Sequence, residues 1–324
     1  MKDKYLQIIG AFVIGLLVPV LVLQAFGMIQ AENLDDTIST NITLSTTPKP
    51  QPRTIPVLHN ESETMQMELE AYLIGVILAE MPTTFELAAL EAQAVVARTY
   101  ALKRYQEKRH ADGAVCTDSA CCQAYIAIAD YLDGLGYAED VAVARNAVQA
   151  TTGMVLLYED AFAEATYFHS SGGRTEDAVA VWGAAYPYLQ AIDSPGEEQM
   201  EHYSAQVFYD KSTLEQLVGL HLSNSPESWV GQITYTTGGG VDTIIFGGRE
   251  FTGIQLRKLL NLNSTAFTIQ PETGGISITT LGKGHRVGMS QCGAQAMALE
   301  GASYQQILCY YYPGTRIDKI EDVE

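Results

Sequence analysis

The sequence predicts an α+β fold, a mixed and largely antiparallel sheet with packed helices, preceded by a single N-terminal transmembrane helix and a linker. Three observations carry that prediction. Residues 1–31 contain one long apolar run and residues 32–63 are rich in Thr and Pro. From residue 64 to 324 the composition is globular, with helical periodicity near both ends. Between those ends, strand-like and helix-like segments intermix without a regular βαβ period, which argues against a parallel sheet.

The elements follow in order. "MKDKYLQIIGAFVIGLLVPVLVLQAFGMIQAEN" has no charge between Lys4 and Glu32, enough to span a bilayer as a helix. Lys2 and Lys4 precede the run, and Glu32, Asp35 and Asp36 follow it, so the rest of the chain is expected outside the cytoplasm. A cleaved signal peptide ending near Ala31 is the alternative. The run exceeds an ordinary signal core and no A-x-A site follows, which favours the anchor. "DTISTNITLSTTPKPQPRTIPVLHN" shows neither helical nor alternating periodicity and reads as a semi-extended spacer.

In "ESETMQMELEAYLIGVILAE", residues 61–80, Met67, Leu69, Tyr72, Leu73, Val76 and Ile77 recur at helical spacing. Pro82 disfavours α geometry at Met81, so this helix should end at Glu80 or just before it. "TTFE" offers a capping box, Thr83 with Glu86, for a second helix running through about Lys108. Its many alanines predict close helix packing. "AEDVAVARNAVQATTG" reads as a helix ended by Gly153, and "MVLLYEDAFAEATYFHSSGG" as two strands around a turn at Glu159–Asp160. Strands "ITYTT", "VDTIIF", "AFTIQ" and "GISITTL" alternate with helices "STLEQLVGL" and "GIQLRKLLNL". A helix pair in "GAQAMALEGASYQQILCYYYPGT", stopped by Pro313–Gly314, closes the chain.

The 324 residues carry 19 basic and 38 acidic side chains, a formal charge of −19. With no Lys/Arg cluster to offset it, that charge excludes nucleic acid as a partner. It also repels anionic wall polymers. A wall-binding site would therefore have to use hydrogen bonds and aromatic contact, for which 18 tyrosines are available.

Candidate chemistry begins at Glu80. A carboxyl at a helix C-terminus meets the negative end of the macrodipole, and Ile77, Leu78 and Ala79 help to desolvate it. Both effects raise its pKa toward what a general acid needs; an idle helix-end glutamate is the bland reading. "HSSGG" holds His169 and Ser170, but adjacent residues do not form a nucleophile–base pair and no G-x-S-x-G elbow is present. A groove-lining loop is the better reading. "HADGAVCTDSACC" sets His110, Cys116 and Cys122 at wider spacing than a zinc finger. A disulfide from Cys116 to Cys121 or Cys122 competes with zinc, since an extracytoplasmic site permits it. Cys292 and Cys309 read as buried thiols.

"YLIGVILAEMPTTFELAALEAQAVVARTYAL", "YFHSSGGRTEDAVAVWGAAYPYLQAIDSP" and "GKGHRVGMSQCGAQAMALEGASYQQILCYYYPGTRI" resemble, in order, three signature blocks of the stage II sporulation protein D family. The likeness covers roughly residues 65–320. It implies a membrane protein of an endospore-forming bacterium that acts on the wall during engulfment. The implied activity is that of a lytic transglycosylase cutting peptide-stripped peptidoglycan glycan strands, with the Glu of E-M-P, here Glu80, as acid.

The resemblance further implies roles for Arg98, Tyr188, Gln190 (where the family commonly has Lys), and one of Tyr311 and Tyr312 in the groove. His285 is expected to line the groove or to be a structural histidine. The family pattern more often has Trp at Lys283, Gly at Arg286 and Tyr at Cys292. Zinc held by His110, Cys116 and Cys122 is implied by relatives with that spacing, with a fourth position for water. Implied partners are a wall amidase/endopeptidase and a multi-pass membrane protein that localises both, with a homodimer also within the family's range. Some relatives enhance an amidase instead, which keeps a non-catalytic peptidoglycan-binding role as the alternative.

Overall fold

A computed structural model describes residues 53–59, 63–134, 136–200 and 203–320. The expected transmembrane helix and most of the expected linker lie outside these residues. Among the described residues, no helix is long and apolar enough to cross a membrane.

Strand β1 (Thr54–His59) pairs antiparallel with β2 (Glu63–Glu68) and parallel with β3 (Val115–Cys116). The sequence reading placed β1 in the linker and β2 in a helix. The pairing explains the difference: Ile55, Pro56 and Val57 are buried in succession, which leaves no alternation to read, and a proline argues against a strand from sequence alone. Helix α1 (Leu69–Glu80) follows, and α2 (Leu87–Glu107) after a six-residue turn. As Pro82 dictates, Met81 is extended, at φ −134° and ψ 143°. The expected Thr83–Glu86 capping box does not form. Thr83 Oγ1 instead donates to Asp140, Glu86 itself is the N-cap, and its N–H donates to Gln295 Oε1 at 2.7 Å.

Further along come α3 (Ile128–Asp133), α4 (Ala138–Ala150), β4 (Met154–Tyr158), β5 (Ala161–Phe162), β6 (Tyr167–Phe168) and α5 (Ala178–Trp182). The β4–β5 hairpin turns at Glu159, whose φ is +53°, where the sequence placed it. A second apolar cluster forms from β7 (Ser204–Asp210), α6 (Lys211–Val218), β8 (Val230–Tyr235), β9 (Val241–Phe246), β10 (Arg249–Thr252), α7 (Gly253–Leu259), β11 (Phe267–Glu272) and β12 (Gly275–Leu281). The chain ends on β13 (Met289–Ser290), α8 (Gln291–Leu299), α9 (Tyr304–Tyr311) and β14 (Arg316–Lys319). The result is α+β with mostly antiparallel pairing. In place of one large sheet, the described strands form small sheets of two or three.

The main core joins α1, α2, α4, β4, α8 and α9. Along α2, Ala89, Ala92, Ala94, Ala97 and Ala101 are fully buried, the close packing that the alanines predicted. The second cluster is tied to the first by a buried polar joint. Arg286 sits 3.3 Å from Glu176 and donates to the carbonyls of Ser171, Arg174 and Gly238 at 2.7 Å each. Its φ is +67°, a conformation that favours glycine and costs about 1–2 kcal/mol for other residues. Four hydrogen bonds offset that strain.

Candidate active-site cleft

Glu80 is the last residue of α1 and opens onto a cleft of about 790 Å³. Its Oε1 accepts from the Ala124 N–H at 2.8 Å, and the side chains of Tyr167 and Gln291 also reach its carboxyl. Burial raises its pKa, and the Ala124 hydrogen bond and the two side-chain contacts only partly counter the effect. Two of its neighbours come from one parallel pairing, β6 with β13, which sets Tyr167 opposite Met289, two residues before Gln291. Nothing local in the sequence connects residues 80, 167 and 291.

Behind the acid lies a short relay. Gln123 Nε2 donates to Tyr72 Oη at 3.0 Å and to the Ala97 carbonyl, which fixes which end of the amide is oxygen. Gln123 Oε1 therefore accepts, and Tyr167 Oη–H donates to it at 3.0 Å. With that hydrogen committed, the lone pairs of Tyr167 are free to accept from a protonated Glu80. Turned from Gln123, the Tyr167 hydroxyl would donate to a Glu80 carboxylate, the sense in which this contact lowers the pKa of the acid.

The cleft wall opposite is aromatic. The His285 ring lies 5.1 Å from that of Trp182 and 5.6 Å from that of Phe168, centroid to centroid. His285 Nδ1 accepts from Val287 N–H at 3.1 Å, so its proton is on Nε2. Burial and nearby Arg257 push its pKa down to about 4, which keeps the ring neutral. His169 also lines the cleft, with Nε2 3.9 Å from the Cys292 sulfur. The remaining wall is ionic: Arg104 pairs with buried Glu164 and with Glu107, while Arg109 and Lys283 stand nearby. Burial raises the Glu164 pKa even beside Arg104 and Lys103.

Of the residues the sequence nominated for the groove, His169 and His285 line it together with Glu80. Arg98 does not. It is fully buried, with Nε and Nη2 on the two oxygens of Glu70 at 3.0 and 2.6 Å and Nη1 on the Met154 carbonyl at 3.0 Å. Neither tyrosine of the final pair reaches the cleft. Tyr311 Oη meets Ser194 Oγ at 2.5 Å, and Tyr312 Oη donates to Thr166 O at 2.6 Å and accepts from Met289 N–H. Tyr188 lies beneath the wall, accepting from the Glu164 N–H at 2.8 Å. Ser170 is buried, its backbone paired with Lys283. Gln190 is exposed outside the cleft and caps the Pro187 carbonyl.

The expected ligands His110, Cys116 and Cys122 do converge beside the cleft, and Cys121 joins them. One donor atom from each lies within 4.8 Å of the others, and all five cysteines are free thiols. Soft sulfur with imidazole is a donor set that suits zinc. Cys292 is buried as expected, whereas Cys309 is exposed on α9. Sequence reasoning missed Tyr167, Gln291, Trp182 and the Arg104–Glu164 pair. Tyr167, Trp182 and Gln291 do stand inside the quoted motifs, which was the available signal.

The fold and site define an α+β cleft protein in which a desolvated acid, Glu80, shares its cleft with aromatic side chains and an Arg104-paired Glu164. Residues 58–158, which contain Glu80 and the His–Cys cluster, match the family model described as stage II sporulation protein. Stage II sporulation protein D of Bacillus subtilis (strain 168) is 36% identical over 280 residues, covering 84% of this chain and 81% of the relative. Its counterpart in Bacillus amyloliquefaciens is 35% identical over the same shares. The amidase enhancer of Bacillus subtilis (strain 168) is 29% identical over 76% of this chain and 40% of its own length. The chain belongs to the stage II sporulation protein D family.

Proposed function

We propose that this chain is a lytic transglycosylase that cleaves the MurNAc–GlcNAc linkages of peptide-stripped peptidoglycan during septal wall remodelling and engulfment. The observation that carries the reading is Glu80 opening onto the cleft with its carboxyl held by the Ala124 N–H and its pKa raised by burial, while the other two cleft carboxyls, Glu107 and Glu164, are paired with Arg104. Glu80, protonated, gives its proton to the glycosidic oxygen as the C1–O bond breaks, through an oxocarbenium-like transition state. The resulting carboxylate takes the proton of the MurNAc C6 hydroxyl as O6 bonds to C1, closing a 1,6-anhydro ring. Glu80 ends protonated again and no water is consumed. One acid/base suffices because the sugar supplies its own nucleophile, whereas ordinary hydrolysis uses two carboxylates. Glu164 is engaged with Arg104 and Lys103, which fits a wall role better than a second catalytic one.

Trp182 and His285 offer faces for sugar rings, with the His285 ring held by the backbone of Tyr167 and Val287. His110, Cys116 and Cys122 would hold zinc, whose contribution there is to cross-link the loop beside Glu80. Under the same reading, the N-terminal segment anchors the domain outside the cytoplasm, facing the septal space. A wall amidase/endopeptidase supplies stripped glycan there, and a multi-pass membrane protein localises both.

The test incubates the full chain with amidase-stripped peptidoglycan. Anhydro-ended products by mass spectrometry, lost in Glu80→Gln, support the proposal; reducing-end products, or full activity in Glu80→Gln, overturn it. The amidase enhancer relative keeps a second reading in play, a non-catalytic stimulator. Amidase stimulation undiminished in Glu80→Gln, with no glycan cleavage by the parent, would establish that reading instead.

A further inference from the structure

We propose that Cys121 is the fourth protein ligand of a metal centre with His110, Cys116 and Cys122, and that this closed centre fixes the loop whose Ala124 N–H holds Glu80. The family resemblance implies three ligands with an open fourth position. The structure supplies a fourth sulfur. Cys121 Sγ lies 3.4 Å from His110 Nε2, and Cys122 Sγ lies 3.5 Å from the same atom. Tetrahedral zinc, with Zn–S about 2.3 Å and Zn–N about 2.0–2.1 Å, sets a sulfur and a nitrogen roughly 3.5–3.6 Å apart. By that measure the two neighbouring cysteines are equally good ligands.

A local turn explains how adjacent residues can both serve. The N–H groups of Cys121 and Cys122 both donate to the Asp118 carbonyl, at 3.0 and 2.8 Å, and Ala120 N–H donates to Asp118 Oδ1 at 2.8 Å. That tight turn directs both sulfurs toward His110. Charge agrees as well. Three thiolates and a neutral imidazole around a divalent ion leave one net negative charge, and the Arg109 guanidinium hydrogen-bonds the Cys121 sulfur. Four protein ligands leave no place for an activated water, so the centre is structural.

The position of the centre gives it a task. Gln123 follows Cys122 directly and is the residue held by Tyr72, Ala97 and Tyr167. Ala124 comes next and donates to Glu80 at 2.8 Å. A cross-link at Cys121 and Cys122 therefore immobilises the backbone that orients the acid. The assignment of the ligands stands on geometry alone; only its consequence for catalysis rests on the transglycosylase reading.

The experiment uses the full chain loaded with zinc and then with cobalt(II). Native mass spectrometry counts metal per chain, and the thiolate-to-cobalt charge-transfer intensity counts sulfurs. One metal with three thiolates is expected in the parent, and two thiolates in Cys121→Ser. Loss of groups merely behind a ligand already costs about 10–100-fold in affinity, so Cys121→Ser should weaken zinc by at least about tenfold. A parent spectrum with two thiolates, unchanged in Cys121→Ser, overturns the assignment, as does a metal-free disulfide. The parent spectrum alone decides the count should the variant fail to fold. Chelation should also speed hydrogen exchange at Gln123–Tyr125 severalfold; unchanged exchange refutes the loop-fixing role. Neither readout uses glycan cleavage, so failure here is distinct from failure of the transglycosylase reading.

Discussion

Replacing Arg98 with alanine should unfold this protein rather than disarm it. The guanidinium is fully buried and makes a bidentate pair with Glu70, whose side chain is 25% exposed. It also donates to Met154 O, and more distantly to Val148 O, so it joins α1, α2, α4 and β4. Removing one partner of a buried ion pair costs about 3–5 kcal/mol, because the other charge is left without compensation. The partial exposure of Glu70 argues for the lower end, about 3 kcal/mol. For a domain of this size that shifts Tm by about 6–12 °C.

The assay pairs urea unfolding with glycan cleavage measured per folded molecule. Arg98→Ala should lose stability while keeping its activity per folded molecule. A paired replacement, Arg98→Met with Glu70→Leu, should recover much of the loss, since a well-packed apolar pair removes both charges together. If Arg98→Ala unfolds at the parent's urea midpoint yet no longer cleaves glycan, the structural reading is wrong and a substrate role is right.

The pH behaviour of Glu80 has a definite sign. Its folded pKa is raised, so the folded state holds the proton more tightly than the unfolded chain. The stabilisation is full below the ordinary glutamate range and is lost as pH rises through the folded value. Glu80→Gln should therefore be more stable than the parent at neutral and higher pH by urea titration, and no more stable in acid. His285 works the other way: with a folded pKa of about 4 against an ordinary value near 6.5, its contribution is full above the latter and fades toward pH 4. Its charge should leave no inflection in the pH–rate profile between about 6 and 8, and His285→Gln should shift KM without adding one. Arg286→Ala strands the Glu176 carboxylate in the joint between the two apolar clusters and should cost about 3–5 kcal/mol in urea unfolding.

The sequence resolves the local features well. Pro82 marks the end of α1, Gly153 follows the end of α4, and the β4–β5 turn falls at Glu159–Asp160, because each depends on backbone rules acting over a few residues. It fails where a contact spans the chain. Strand β1 pairs with β2 across masking prolines, and Thr83 turns from the helix it was expected to cap to Asp140, 57 residues away. The site divides in the same way. Glu80 and His285 are visible from their immediate context. The Tyr167–Gln123 relay depends on two nonlocal meetings, and Tyr311 and Tyr312 look available until their hydroxyls are found holding Ser194 and Thr166.

Those buried hydroxyls show how the site is built. Tyr312 accepts from the N–H of Met289 and donates to Thr166 O, so one hydroxyl bridges β13 to the residue before β6. That bridge locks the pairing that carries Tyr167 and Gln291 to Glu80. Gln291 Nε2 has no hydrogen-bond partner of full geometry, although its side chain reaches the acid. A buried donor left so costs about 1–3 kcal/mol. Under the proposed mechanism such an expense is tolerated, because a Glu80 carboxylate newly freed of its proton is the acceptor that this amide awaits. Gln291→Leu should then lower kcat while leaving the KM for stripped glycan nearly unchanged. An unchanged kcat would show the orphaned amide to be a packing accident.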